Sequence, residues 1–276
     1  MTGGGLERER LVPPPQVPRG LASLADGASW YRDLVGEAGA AVYRITGADG
    51  SCAYLKHATG AVAQDLADEM IRLRWLDGRA AVPKVRQFLL ETKVDDDEAW
   101  LVTGALSGRT AYQCLEAEPE QAAALVDMLA QFLRDFHSIP VSACPFRADH
   151  ELRLTEAALR LERGLIDADD FGDAHQGWTP DQLWAKLMGM LPLQAERVMT
   201  HGDFSLDNIL IDDGQVIGCI DVGRAGVADP YQDLAILSDC LDEFDGALQA
   251  RLFAAYGIAV PDQQRIAFHL ALDECF

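Results

Sequence analysis

The chain has 276 residues, a formal net charge of −21 and 49% hydrophobic residues. That length supports one large domain or two lobes with a real core, and that composition is globular rather than disordered. The acidity argues against nucleic-acid binding, which needs a basic surface, and favours cationic partners. Six cysteines fall at 52, 114, 144, 219, 240 and 275. They show no CxxC or zinc spacing and read as reduced, mostly buried thiols of a cytoplasmic protein. No apolar stretch approaches the roughly 20 residues of a membrane span, and no secretory h-region is visible.

Residues 1–20 carry "GGG" and "PPPQVP" and read as a flexible tail. "AAVYRI" and "SCAYLKH" read as two strands around the turn "GADG". Leu66, Met70, Leu73 and Leu76 recur near a 3.6-residue period and predict a helix over 64–77. "AVPKVRQFLLE" and "AWLVTGAL" read as two further strands. This first part, 21–106, is a small antiparallel sheet with one helix. Beyond it, Pro119-Glu120 opens a helix with Leu125, Met128, Leu129, Phe132, Leu133 and Phe136 on one stripe. More helices are expected near 151–165, 180–190, 229–244, 246–256 and 261–273. Residues 107–276 therefore form a larger, mostly helical lobe, with a hinge near Gly108. The expected class is a mixed α/β (α+β) fold in two lobes.

The chemistry concentrates in "HGDFSLDNILIDDGQVIGCIDVG", residues 201–223. Asp213-Gly214 is a strong hairpin-turn signal between apolar strands. Folding about that turn brings Asn208 and Asp221 to the same open end, and Asp203 lies in the loop that feeds it. Three oxygen-bearing side chains then converge. Magnesium takes one or two protein oxygens and completes its octahedron with phosphate oxygens and water. Asp203 stays available to accept a hydroxyl proton. Asp203-x4-Asn208 followed by Asp221-Val222-Gly223 is the spacing of phosphoryl-transfer sites. The competing reading is an acidic loop beside a solvated hairpin end.

The stretch "THGDFSLDNILIDDGQVIGCIDVGRAGVADPYQDLAIL" resembles the signature block of the aminoglycoside 3′-phosphotransferases, the antibiotic-kinase branch of the protein-kinase-like superfamily. The ending "QRIAFHLALDECF" resembles that family's C-terminus, and the similarity runs from about residue 21 to Phe276. The resemblance implies a two-lobe kinase-like fold, with ATP and Mg2+ between the lobes and an aminoglycoside acceptor. It makes Asp203 the catalytic aspartate and Asn208 and Asp221 the metal ligands. Arg224 would hold phosphate or acceptor, and His201 and His137 would be structural.

On the nucleotide side, Lys56 would reach the α- and β-phosphates with Glu69 as its partner. Tyr54 shares the strand face of Lys56 and is either an adenine-stacking aromatic or a core tyrosine. "VGEAGAAVY", residues 35–43, stands where a glycine-rich loop belongs, although Gly36 and Gly39 do not make GxGxxG. Ala105 and Leu106 of "LVTGALSG" would offer main-chain groups to the adenine edge, and Gly104 replaces a larger residue there.

An aminoglycoside is a polycation, so its site should offer carboxylates. "LIDADDFGD", residues 165–173, supplies candidates, of which Asp170 and Asp173 match family positions best. Gly172 and Ala174 stand where relatives often carry further acids. Asp273, Glu274 and the terminal carboxylate of Phe276 would line the drug pocket, with Cys275 facing the core. A monomer or weak dimer acting on a small molecule, with no nucleic-acid or membrane partner, fits all of this. Two rivals remain: a related kinase of choline, homoserine or a sugar, and a catalytically inactive kinase-like binding module.

Overall fold

The computed structural model describes residues 8–34, 39–92 and 96–276. The chain divides into two compact units, Met1–Ser107 with Gly218–Gly223, and Gly108–Ile217 with Arg224–Phe276. The division at 107/108 lies one residue from the expected boundary. The short segment 218–223, expected in the helical lobe, is instead part of the first unit.

In the first unit the strands are β1 (Glu9–Val12), β2 (Ser29–Asp33), β3 (Ala41–Thr46), β4 (Cys52–Thr59), β5 (Val85–Thr92) and β6 (Asp97–Gly104), with helix α1 (Ala61–Leu76) after β4. They form one antiparallel sheet in the order β1-β2-β3-β4-β6-β5. Side chains alternate between the two faces of a strand. Ala53 and Leu55 of β4 therefore join Leu21, Trp30, Ile45, Trp100 and Val102 in one core. The even residues Tyr54, Lys56 and Ala58 point the other way, and there Ala58 and Ala99 pack under Ala63 and Leu66 of α1.

Strand β1 corrects the reading of residues 1–20 as a flexible tail. Residues 9–12 pair with β2, and the Arg44 guanidinium reaches across to the Glu9 carboxylate at 2.6–2.9 Å. The proline-rich composition hid a four-residue edge strand that pairs with β2 and whose Glu9 meets Arg44, 35 positions away. Segment 218–223 is tied in by a bond from Cys219 N–H to the Ala81 carbonyl at 3.0 Å. A Cβ on Gly218 would lie 2.5 Å from that carbonyl oxygen and 2.9 Å from Leu106 Cδ1, so only glycine fits.

The second unit holds β7 (Arg109–Thr110), α2 (Ala111–Ala117), α3 (Ala122–His137), α4 (His150–Glu162), α5 (Pro180–Gly189), β8 (Val198–Thr200), β9 (Ile209–Asp212), β10 (Gln215–Cys219, its last two residues counted with the first unit), β11 (Gly226–Ala228), α6 (Tyr231–Asp242), α7 (Gly246–Tyr256) and α8 (Gln263–Asp273). Leu125, Leu129 and Leu133 of α3 pack with Phe204, Leu234, Leu237 and Leu252 in one core. Ala157, Phe171, Leu183, Leu187, Phe268 and Leu272 form a second. Pro119 opens a 3-10 turn, and α3 proper begins at Ala122. Helix α2 escaped the sequence reading, although Thr110 and Gln113 form a capping box at its start. The β9–β10 turn has positive φ at both central residues, +47° at Asp213 and +67° at Gly214, as a type I′ hairpin requires.

Candidate active site

Lys56 stands on the face of β4 that α1 covers, and this places it opposite Glu69. Its ammonium donates to both Glu69 oxygens at 2.9 Å and also bonds the Asp221 carboxylate. Burial alone would lower the lysine pKa; the carboxylates of Asp221 and Glu69 outweigh it and hold the ammonium above its ordinary range. Burial, with Asp221 nearby, pushes Glu69 up against the opposing pull of Lys56. Asp221 has φ +59°, a left-handed conformation that glycine, asparagine and aspartate adopt more readily than other residues. The next glycine, Gly223, passes close to α1: a Cβ there would lie 3.6 Å from Glu69 Cβ.

The other nucleotide-side expectations fare differently. Tyr54 is half-buried on the strand face of Lys56, and burial raises its phenol pKa. Ala105 N–H donates to the Cys52 carbonyl at 3.5 Å, a long bond, and Leu106 lies half-buried against Gly218. Gly104 donates its N–H to the Lys84 carbonyl at 2.9 Å. Of the expected phosphate loop, residues 35–38, including Gly36, lie outside the described residues; Gly39 has φ +72°.

In the second unit Asp203 and Asn208 meet directly. Asn208 Nδ2 donates to the Asp203 carbonyl at 3.0 Å and to its Oδ2 at 3.1 Å. Its amide nitrogen is thus turned to Asp203. Asp203 N–H donates to His201 Nδ1 at 3.3 Å.

The loop itself is latched by a residue the sequence reading passed over. Asp233 is fully buried on α6 and accepts the main-chain N–H groups of His201 and Gly202, both at 2.8 Å. The same carboxylate meets His137 Nε2 at 3.0 Å, and His137 Nδ1 meets the Tyr256 hydroxyl at 2.7 Å. Gly202 has φ +90°, and a Cβ there would strike the Arg224 carbonyl oxygen at 2.4 Å. Glycine is required at this position.

Among the described residues no group of three or more His, Cys, Asp or Glu side chains is arranged to hold a metal. Within one unit Asp203 meets Asn208, and within the other Asp221 meets Lys56, which also binds Glu69.

The acceptor-side residues gather around the C-terminus. Asp273 is shared by Arg153 at 2.8 Å and Arg224 at 3.2 Å. Arg160 donates to the terminal Phe276 oxygen at 3.1 Å, and Arg153, Arg160 and Arg224 lie 4.7, 5.7 and 5.6 Å from the Phe276 ring centre. Glu274 bonds His175 at 2.8 Å. Buried Ile166 and Phe171 anchor the acidic loop, which leaves Asp170 and Asp173 exposed. A Cβ at Gly172 would come within 3.3 Å of Glu274 Oε1, a tight approach to the end of that side chain.

A further acid went unnoticed in the sequence. Burial, then the charges of Asp242, Glu243, Glu274 and Asp273, push the Asp239 carboxyl above its ordinary range. Asp239, Asp242 and Glu243 recur at i, i+3 and i+4, a spacing that signals one helix face. Cys275 sits in the core as expected, and burial pushes its thiol up to about 11.

The phosphotransferase enzyme family model matches residues 30–269. The chain belongs to this family. It is 47% identical to an aminoglycoside 3′-phosphotransferase of Escherichia coli over 272 residues, covering 98% of this chain and 99% of that protein. The crystal structure of an aminoglycoside 3′-phosphotransferase of type VIII superposes with a TM-score of 0.80 at 31% identity, over 94% of this chain and 97% of that one. Aminoglycoside phosphotransferase APH(3'')-Id of Streptomyces rimosus, in complex with ADP and streptomycin, matches with a TM-score of 0.72 at 28% identity over 87% and 94% of the two chains. The phosphotransferase described here thus has the protein-kinase-like fold of these enzymes, with the antiparallel sheet and the helical lobe read from its sequence. Among its described residues no helix is long and apolar enough to cross a membrane.

Proposed function

We propose that this phosphotransferase transfers the γ-phosphoryl group of Mg·ATP to the 3′-hydroxyl of a kanamycin- or neomycin-type aminoglycoside, releasing ADP and inactivating the antibiotic in the cytoplasm. The observation that carries the reading is the pairing of Asp203 with Asn208 in a loop latched by Asp233. Asp203 orients the acceptor hydroxyl and takes its proton as the phosphoryl group leaves ADP. Lys56, held by Glu69, binds the α- and β-phosphates. Tyr54 stacks on adenine, and the main chain of Ala105 and Leu106 meets its edge.

The donor set suits magnesium, which needs only one or two protein oxygens. Asn208 has its amide nitrogen engaged by Asp203, and its oxygen and the Asp221 carboxylate would hold the ion. Bound metal would neutralise phosphate charge; the remaining rate enhancement comes from positioning by this chain's own residues. Arg224 steadies the phosphate or acceptor, and Asp170, Asp173, Asp273, Glu274 and the Phe276 carboxylate receive the drug's ammonium groups. The protein acts alone or as a weak dimer.

Kanamycin and tobramycin test the assignment, because both are polycations and only kanamycin carries a 3′-hydroxyl. Mass spectrometry after incubation with Mg·ATP should find kanamycin phosphorylated and tobramycin bound but unmodified. Efficient phosphorylation of tobramycin would overturn the regiochemistry. Turnover of choline or homoserine in place of either drug would overturn the substrate class.

A further inference from the structure

His175 ties the acidic loop to the C-terminal segment by a side-chain hydrogen bond. His175 is 3% exposed, with its Nδ1 2.8 Å from Glu274 Oε2 and its Nε2 bonded to Lys186 Nζ. An ammonium group has donors and no acceptor. Nε2 must therefore accept from Lys186, which leaves the proton on Nδ1 to be donated to Glu274. The two partners together fix the orientation of the ring. Trp178 packs edge-on against the ring at 5.0 Å, and the Lys186 ammonium lies 5.6 Å from the Trp178 ring centre. The other carboxylate oxygen, Glu274 Oε1, lies toward Gly172, where the missing side chain leaves it room.

We propose that His175 is a positioning residue for aminoglycoside recognition. Backed by Lys186, it pins one oxygen of Glu274 so that the other is presented to a substrate ammonium group. A glutamate left to itself samples many rotamers, and an anchored one has lost that freedom before substrate arrives. The inference rests on the assignment of Glu274 to the acceptor site. It accounts for a buried histidine in a loop whose other polar residues are exposed.

Steady-state kinetics with kanamycin and Mg·ATP test it with three single variants and one double. Glu274→Ala removes the carboxylate. His175→Phe keeps a ring against Trp178 and removes both nitrogens. His175→Gln keeps an acceptor for Lys186 and a donor for Glu274. Glu274→Ala and His175→Phe should each raise the kanamycin KM about tenfold, the scale of one charge-assisted hydrogen bond, with the ATP KM unchanged within about twofold. His175→Gln should stay within about threefold of the wild-type kanamycin KM, and the double variant should be no worse than Glu274→Ala alone.

A wild-type kanamycin KM in His175→Phe, with Glu274→Ala impaired, overturns the positioning role and leaves Glu274 in the acceptor site. A wild-type KM in Glu274→Ala overturns the acceptor assignment and the inference with it. If His175→Gln is as impaired as His175→Phe, or the double variant is additive, His175 acts through packing and the inference fails. Should His175→Phe not fold, Lys186→Met carries the test: it should raise the kanamycin KM about threefold, and an unchanged KM overturns the relay.

Discussion

Asn208 binds Asp203 twice, through the main-chain carbonyl at 3.0 Å and through the carboxylate at 3.1 Å. An asparagine at 203 would still offer an oxygen to Asn208 while losing the negative charge and the proton-accepting power. Asp203→Asn should therefore keep the loop geometry and leave the Kd for Mg·ATP within about threefold. Turnover should fall at least about 100-fold, the contribution of a positioned base. Rapid-quench measurement of phosphoryl transfer, beside calorimetric nucleotide binding, checks both halves. Near wild-type turnover would remove Asp203 from the chemistry.

Asp221 combines a bond to Lys56 with a left-handed backbone at φ +59°. Alanine there would strain the main chain, whereas asparagine tolerates that conformation. Asp221→Asn is thus the variant that isolates the charge. Titration of Mg·ATP by calorimetry should show affinity weakened about tenfold or more. Unchanged affinity would mean that the metal is held elsewhere.

Asp233 is the structural counterpart, with no contact to the chemistry. Asp233→Ala leaves the His201 and Gly202 N–H groups and His137 without their acceptor. Each buried donor stripped of its partner costs about 1–3 kcal/mol, so the variant should lose at least about 3 kcal/mol in urea unfolding. A loss under about 1 kcal/mol would show that water replaces the latch.

What the sequence made legible follows from the range of each interaction. Lys56 and Glu69 could be read because a strand and the helix after it bring residues 13 apart into contact. Asp203 and Asn208 are five apart within one loop. Asp233 lies 32 residues from His201, and nothing local distinguishes its carboxylate from a solvated one on α6. Arg153 finds Asp273 across 120 residues, a partner that nothing local in the sequence announces. The edge strand β1 was hidden for the same reason, since its pairing partner and its Arg44 anchor both lie outside its own segment.

His269 predicts how stability should depend on pH. It is 1% exposed, and burial, then the nearby charges of Arg153, His150 and Arg265, hold its pKa well below the ordinary value. The folded state therefore binds fewer protons at this site than the unfolded chain, whose histidine titrates near about 6.5. Stability rises with pH wherever the unfolded state holds more protons. The His269 contribution is complete above about pH 6.5 and is lost as pH falls below it. Substitution by phenylalanine removes the titration. Between pH 5 and 6.5 the wild-type stability should drop more steeply than that of His269→Phe, by up to about 1.4 kcal/mol per pH unit. Parallel curves from urea unfolding would show that His269 is protonated in the fold.

The acceptor site is best probed where the carboxylates have no arginine of their own. Removing Asp273 would also release Arg153 and Arg224 and disturb the packing on Phe276. Asp170 and Asp173 are exposed on a loop anchored from beneath by Ile166 and Phe171, so changing them leaves the core intact. Asp170→Asn with Asp173→Asn keeps their size and removes two negative charges from the face a polycation must approach. The kanamycin KM should rise about tenfold or more at low salt, with the ATP KM unchanged. Exposed charges are screened over about 10 Å at 0.1 M salt and far less far at 1 M. The gap between variant and wild type should therefore narrow as salt rises, chiefly because the wild type weakens. A gap that stays constant with salt would mean that these residues act through the shape of the loop, and equal losses for drug and nucleotide would mean general damage.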